Sequence, residues 1–207
     1  MGQALVGDGT EHWLRLGPAT MALALLNAAA FAALSVDVDL VDVLGLPAGW
    51  GEFAEQPWTA ITATFTSGTF AHLLVAVAVI AVAGGALERR VGSVRVLAIY
   101  LLSALAASVA IATAASAGVG GSQTSLGASG AFIGLVGALA AMPATTAAVA
   151  RLNLSEVVVV IVVVNLLAPV AGIGDWTSAA AHVTGLAVGS LLGLRTRAGQ
   201  RFPARRR

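Results

Sequence analysis

Residues 126–142 read LGASGAFIGLVGALAAM. A hydroxyl, Ser129, stands in a turn of small residues, and an apolar run with the character of a membrane helix follows it. The rest of the chain has the same setting. Of 207 residues 58% are hydrophobic and 10% charged, with a mean hydropathy of +0.91, whereas a soluble domain carries roughly one charged residue in four. Lipid is the solvent this composition fits. There are no cysteines, which excludes a disulfide framework and a thiolate metal site, and three histidines make at most one poor metal cluster. No cofactor and no metal are expected. The opening MGQALVGDGTEHWLRL holds Asp8 and Glu11, too polar for a signal peptide.

Six segments hold close to the ~20 apolar residues that cross a hydrocarbon core: 17–36, 68–87, 94–116, 126–148, 156–173 and 178–195. The expected organisation is a short N-terminal tail over 1–16, one six-span membrane domain over 17–195 and a basic tail over 196–207. AGVGGSQTSLG at 117–127 reads as a loop. Basic residues stay on the cytoplasmic side of a membrane. With the N-terminus inside, Arg15, Arg89, Arg90, Arg95, Arg151, Arg195, Arg197, Arg201, Arg205, Arg206 and Arg207 all fall inside, while the outer connections hold Asp37, Asp39, Asp42, Glu52, Glu55 and Asp175. Both termini are therefore expected in the cytoplasm, for a multi-pass protein of the cell membrane. The RFPARRR tail reads as a topology signal with some affinity for anionic lipid, and a net charge of +1 argues against a nucleic-acid partner.

In that topology the second, fourth and sixth spans run inward from the outer face. His72, Ser129 and His182 each lie about four residues in, on the order of 6 Å down at ~1.5 Å of rise per residue. Polar side chains at one depth in a bundle face its interior and mark a site. AHVTGLAVGSLLG brings Gly185, Gly189 and Gly193 to the same helix face as His182, and Gly130, Gly134 and Gly137 accompany Ser129. Small residues at such spacing let helix backbones approach closely. A serine becomes a nucleophile when an imidazole accepts its proton and donors face the attacked carbonyl. Ser129 then attacks and His182 is base, then acid. No acid shares their depth, so the pair is a dyad, with Asp175 left to the outer loop. The competing bland reading has the glycines only packing helices and Ser129 bonding a carbonyl one turn back.

GASG at 127–130 and AHVTGLAVG at 181–189 resemble the paired signatures of rhomboid intramembrane serine proteases. GGALERRVGS at 84–93 is similar to the inner turn after that family's second core helix, and FAHLL at 70–74 to its histidine-bearing segment. The resemblance covers roughly 55–195. It implies an all-α membrane protein, a six-transmembrane-helix rhomboid-like bundle, with Ser129 as nucleophile and His182 as base. It also implies an oxyanion site made by His72 and the backbone at Ser129 and Gly127. Trp58 matches the aromatic of the family's outer loop. Where the family commonly has asparagine four residues after the histidine this chain has Ala76, and where arginine follows the loop tryptophan it has Thr59.

The implied function is an endopeptidase that cuts transmembrane helices of other membrane proteins near the outer face of the lipid bilayer. The runner-up is a weak or inactive rhomboid-like binder of membrane helices, which Ala76 favours. A third class, a small transporter, is poorly supplied with acids inside the spans. Among the remaining polar residues, His12 is expected on solvated surface and Asn165 to bond across helices. Glu88 with Arg89, Arg90 and Arg95 is expected to form a solvated inner turn. Residues 37–58, with Trp50, Phe53 and Trp58, suit an element lying in the outer interface.

Overall fold

The computed structural model describes residues 16–120, 124–142, 154–172 and 175–199. The expected terminal tails, and with them His12, lie outside those residues. Among the described residues the chain is helical. Its elements run α1 Pro18–Val36, α2 Leu40–Leu44, α3 Trp50–Glu55, α4 Thr59–Thr62, α5 Phe70–Val79, α6 Gly85–Val91, α7 Ser93–Ser116, α8 Ser129–Ala140, α9 Leu154–Val170 and α10 Trp176–Gly199. A five-residue π-helical stretch, Ile80–Gly84, joins α5 to α6. Among the described residues four continuous helices are long and apolar enough to cross a membrane: Pro18–Val36, Phe70–Val91, Ser93–Ser116 and Trp176–Thr196. The chain is a helical membrane bundle. Apolar helices also occupy the places of the fourth and fifth expected spans, and the fourth is shorter than expected.

α8 differs most, with 12 residues where a span over 126–148 was expected; residues 143–153 lie outside the described ones. At ~1.5 Å per residue such a helix covers about 18 Å, well short of a hydrocarbon core of about 30 Å. It tolerates this because it meets protein and not lipid: every residue from Gly130 to Leu139 is buried. Helix ends whose backbone groups are shielded by neighbouring protein need not reach the interface.

Glycine sets the distance between α8 and α10. A Cβ added to Gly185 would stand 2.2 Å from the Gly130 carbonyl oxygen, one on Gly189 1.9 Å from that of Gly134, and one on Gly193 2.5 Å from that of Ala138. From the other side, a Cβ on Gly137 would lie 2.4 Å from the Leu186 carbonyl oxygen. The obstacle is backbone in each case and cannot swing aside. Two helices in lipid thus pack main chain on main chain, the arrangement that gives van der Waals contact where apolar burial supplies little drive.

Glu88 corrects an expectation. It is not in a solvated turn but buried, and its carboxylate accepts the N–H groups of Ala19 (2.9 Å) and Thr20 (2.8 Å) and the hydroxyls of Thr20 (2.6 Å) and Ser93 (2.6 Å). The first N–H groups of a helix have no intrahelical acceptor, and the positive end of its dipole favours an anion. α1 has Gly17 at its N-cap, which offers no side chain for that purpose, so Glu88 caps it from across the bundle. A Cβ on Gly17 would fall 2.2 Å from the Glu88 Cδ.

The segment 37–58 folds as α2 and α3 in a loop that leaves Trp50 and Trp58 exposed. It is tied down by Trp58 Nε1 to the Val43 carbonyl (3.1 Å), the Thr62 hydroxyl to the Leu44 carbonyl (2.9 Å) and the Trp50 N–H to the Ser116 hydroxyl (2.9 Å). Beyond this segment the chain rests on α7, where the buried Tyr100 hydroxyl donates to the Thr64 carbonyl (2.9 Å) and accepts from Asn27 Nδ2 (3.2 Å).

Substituting Gly189→Ala drives a methyl into the Gly134 carbonyl and is expected to cost at least about 1–3 kcal/mol, the usual range for overpacking. Gly51→Ala, where an added Cβ meets nothing within 4 Å, is expected to leave stability unchanged. Thermal unfolding of both variants in detergent micelles checks the contrast.

Candidate active site

Among the described residues the site is walled by five helices, α5, α7, α8, α9 and α10, and one turn. α5 starts behind Thr69, whose hydroxyl accepts the His72 N–H at 3.1 Å as a threonine N-cap does, and this sets His72 in the first turn of the helix. The turn before α8 is hung on the loop ahead of α5. The Ala128 N–H donates to the Thr66 carbonyl (3.1 Å), and Ser125 exchanges backbone hydrogen bonds with Leu46, at 2.7 Å through its N–H and 2.9 Å through its carbonyl. Ser129 is the first residue of α8, so its N–H has no acceptor within the helix. Gly130, next to it, is wedged between α7 and α10: an added Cβ would stand 2.4 Å from the Ala107 Cβ and 3.3 Å from the Ala181 carbonyl oxygen. Ser129 and His182 flank this crossing.

His72, Ser129 and His182 all border one cavity of about 660 Å³. The structure thus brings together the three residues that the sequence placed at one depth, although their helices begin at different heights: Ser129 opens α8, while His182 lies well inside α10. Gly127 borders the same cavity. The His72 ring meets Phe132 edge to face at 5.9 Å, which packs the imidazole against α8. Most of the remaining wall is apolar, with Val157, Val160 and Val164 of α9 forming one side. The side chain of Asn165, on the same helix, lies outside the described residues.

Two further hydroxyls border the cavity, Ser125 and Ser178, and neither was singled out from the sequence. Ser178 precedes His182 by one helical turn, a spacing that could have revealed it. Ser125 lies in a stretch whose composition says only loop, and its place depends on pairing with the distant Leu46. Ala76 is fully buried and does not line the cavity, so the position where the family commonly has asparagine offers no donor here. Asp175 is more involved than an outer-loop residue. It caps α10, accepting the Ser178 N–H at 2.7 Å and the Thr177 hydroxyl, and it lies within electrostatic reach of His182. Burial alone would raise the Asp175 pKa, but hydrogen bonds from Thr177 and Ser178 outweigh it and hold the carboxyl below the usual aspartate value. The stability this cap contributes is present above the ordinary carboxylate range and lost as pH falls through the lowered folded value.

A bundle of apolar helices around a cavity that holds a serine and two histidines defines an integral, multi-pass membrane protein with a polar site inside it. The Rhomboid domain profile matches residues 54–198, more than half of the chain, and the protein belongs to the rhomboid family, whose members are generally intramembrane serine proteases. Among curated proteins none matches the chain.

A methyl added to Gly127 would make only ordinary contacts, 3.7 Å from the Ser129 hydroxyl oxygen and 3.8 Å from that of Ser125, but it would stand in the cavity between them. Gly127→Ala is therefore expected to fold with an unchanged melting temperature while slowing reaction with a fluorophosphonate by on the order of tenfold or more, since small displacements at a reacting centre are costly. Labelling rate and thermal unfolding measured on the same preparation check both halves.

Proposed function

We propose that the protein is an intramembrane serine endopeptidase that cleaves transmembrane segments of other membrane proteins near the outer face, with Ser129 and His182 as a catalytic dyad. The observation that carries this reading is that these two residues, 53 positions apart in the sequence and on different helices, line one cavity. In the proposed step the Ser129 Oγ bonds to the substrate carbonyl carbon and passes its proton to His182, and the carbonyl π pair moves onto oxygen. Donors from His72 and from the backbone at Ser129 and Gly127 receive that charge. His182 then gives the proton to the leaving amide nitrogen, the peptide bond breaks, and water repeats the sequence on the acyl-enzyme.

The proposed topology has six spans, with α8 and α9 as the fourth and fifth, and both termini in the cytoplasm, as the arginine distribution supports. The domain boundaries 1–16, 17–195 and 196–207 go with it. A helical substrate hides its carbonyls in hydrogen bonds, so cleavable segments are those weakened by glycine or proline near the outer face. The apolar cavity walls favour an apolar side chain beside the cut. Val157, Val160 and Val164 of α9 are exposed as well as lining the cavity, which makes this helix the proposed side of entry.

One observation favours the second reading, a rhomboid-like protein that binds membrane helices without cutting them: Ala76 is buried and supplies no oxyanion donor. Loss of one such donor typically costs about 10²–10³ in rate, which slows a protease without silencing it.

Reaction of detergent-purified protein with a fluorophosphonate separates the readings. The protease reading expects labelling of the wild type, none of Ser129→Ala, and labelling of His182→Ala slower by on the order of 10³-fold or more. Labelling that persists in Ser129→Ala would end it.

A further inference from the structure

Attack by Ser129 needs hydrogen-bond donors aimed at the oxygen on which charge develops. The turn before α8 supplies fewer than its length implies, because the Ala128 N–H is already committed to the Thr66 carbonyl. On α5 the residue one turn after His72 is the buried Ala76, which has no donor. Two hydroxyls remain at the cavity wall among the described residues. That of Ser178 is engaged by Asp175 at the start of α10.

Ser125 is placed differently. Its main chain is fixed by the paired hydrogen bonds with Leu46, so the position of its side chain does not depend on a mobile tether. Two residues on, Gly127 carries no side chain, and the Oγ atoms of Ser125 and Ser129 both lie within 4 Å of the point where a Gly127 Cβ would stand, at 3.8 and 3.7 Å. The two hydroxyls border one small space, open to the cavity, in front of Gly127. A carbonyl carbon bonded to the Ser129 Oγ carries its oxygen into that neighbourhood.

We propose that Ser125 is a catalytic residue of this protein, a hydroxyl donor to the oxyanion formed when Ser129 attacks, acting beside His72 and the backbone of the turn. The assignment rests on the protease reading. Ser125 transfers no proton: the Ser129 proton goes to His182, the carbonyl π pair goes to oxygen, and Ser125 keeps its own hydrogen and directs it at the new charge. Threonine retains this donor and alanine removes it, while both keep the backbone pairing with Leu46.

The test is the kinetics of fluorophosphonate labelling of the full chain in detergent micelles, because the phosphonyl oxygen occupies the place of the oxyanion. The limiting rate kinact and the half-saturating concentration KI are measured for wild type, Ser125→Ala, Ser125→Thr and Ser129→Ala, with melting temperatures alongside. Ser125→Ala is expected to lose on the order of 10² in kinact, as for other single oxyanion donors, with KI within about twofold, an unchanged melting temperature and recovery of most of the rate in Ser125→Thr. A Ser125→Ala protein that reacts within about threefold of the wild-type rate overturns the proposal and leaves the protease reading intact. A loss of rate that tracks a fall in melting temperature and is not recovered by threonine also overturns it. A wild type that does not label, or a Ser129→Ala protein that labels equally well, removes the protease reading and this proposal with it.

Discussion

The contact on which the rest of the molecule depends is main chain against main chain between α8 and α10. Gly185 meets the carbonyl of Gly130 and Gly189 that of Gly134, at separations no side chain could share. In a bilayer, burying another leucine gains little, because lipid tails are as apolar as the protein; close approach of two backbones gains contact that lipid cannot supply. This seam explains why α8 can be short, since the helix is enclosed by protein along its length. It also explains why a serine at the start of one helix and an imidazole inside another border the same cavity.

Precision at that cavity comes from hydrogen bonds outside the seam. The turn carrying Gly127 and Ser129 hangs from the Leu46–Ser125 and Thr66–Ala128 backbone pairs. The loop holding Thr66 is in turn steadied through Thr64 by Tyr100 and Asn27. At the other end of the bundle Glu88 binds the start of α1 to the start of α7. Reactive groups held by supporting hydrogen bonds need less reorganisation when charge develops. The π-helical stretch Ile80–Gly84 separates the half of the second span that carries His72 from the half that carries Glu88, and such interruptions are frequent near functional sites.

Features written in local periodicity were legible in the sequence. Apolar length marked the places of the helices, and similar positions along three spans expected to run in the same direction singled out His72, Ser129 and His182. The glycine spacing of α8 and α10 foretold their contact. What depends on a distant partner was hidden. Glu88 sits among arginines and looks solvated, because its acceptor role is visible only when Ala19 and Thr20 arrive from α1. Ser125 looks like linker until Leu46 pairs with it. The length of α8 was overestimated because an apolar sequence records avoidance of water without distinguishing lipid from protein as the neighbour.

The central claim is that one hydroxyl among the three at the cavity is activated by its imidazole neighbour. Tandem mass spectrometry of the phosphonylated protein tests this most directly, since Ser125, Ser129 and Ser178 all border the reacting space. The account predicts a single adduct, on Ser129. An adduct on Ser125 or Ser178 with Ser129 unmodified would contradict it.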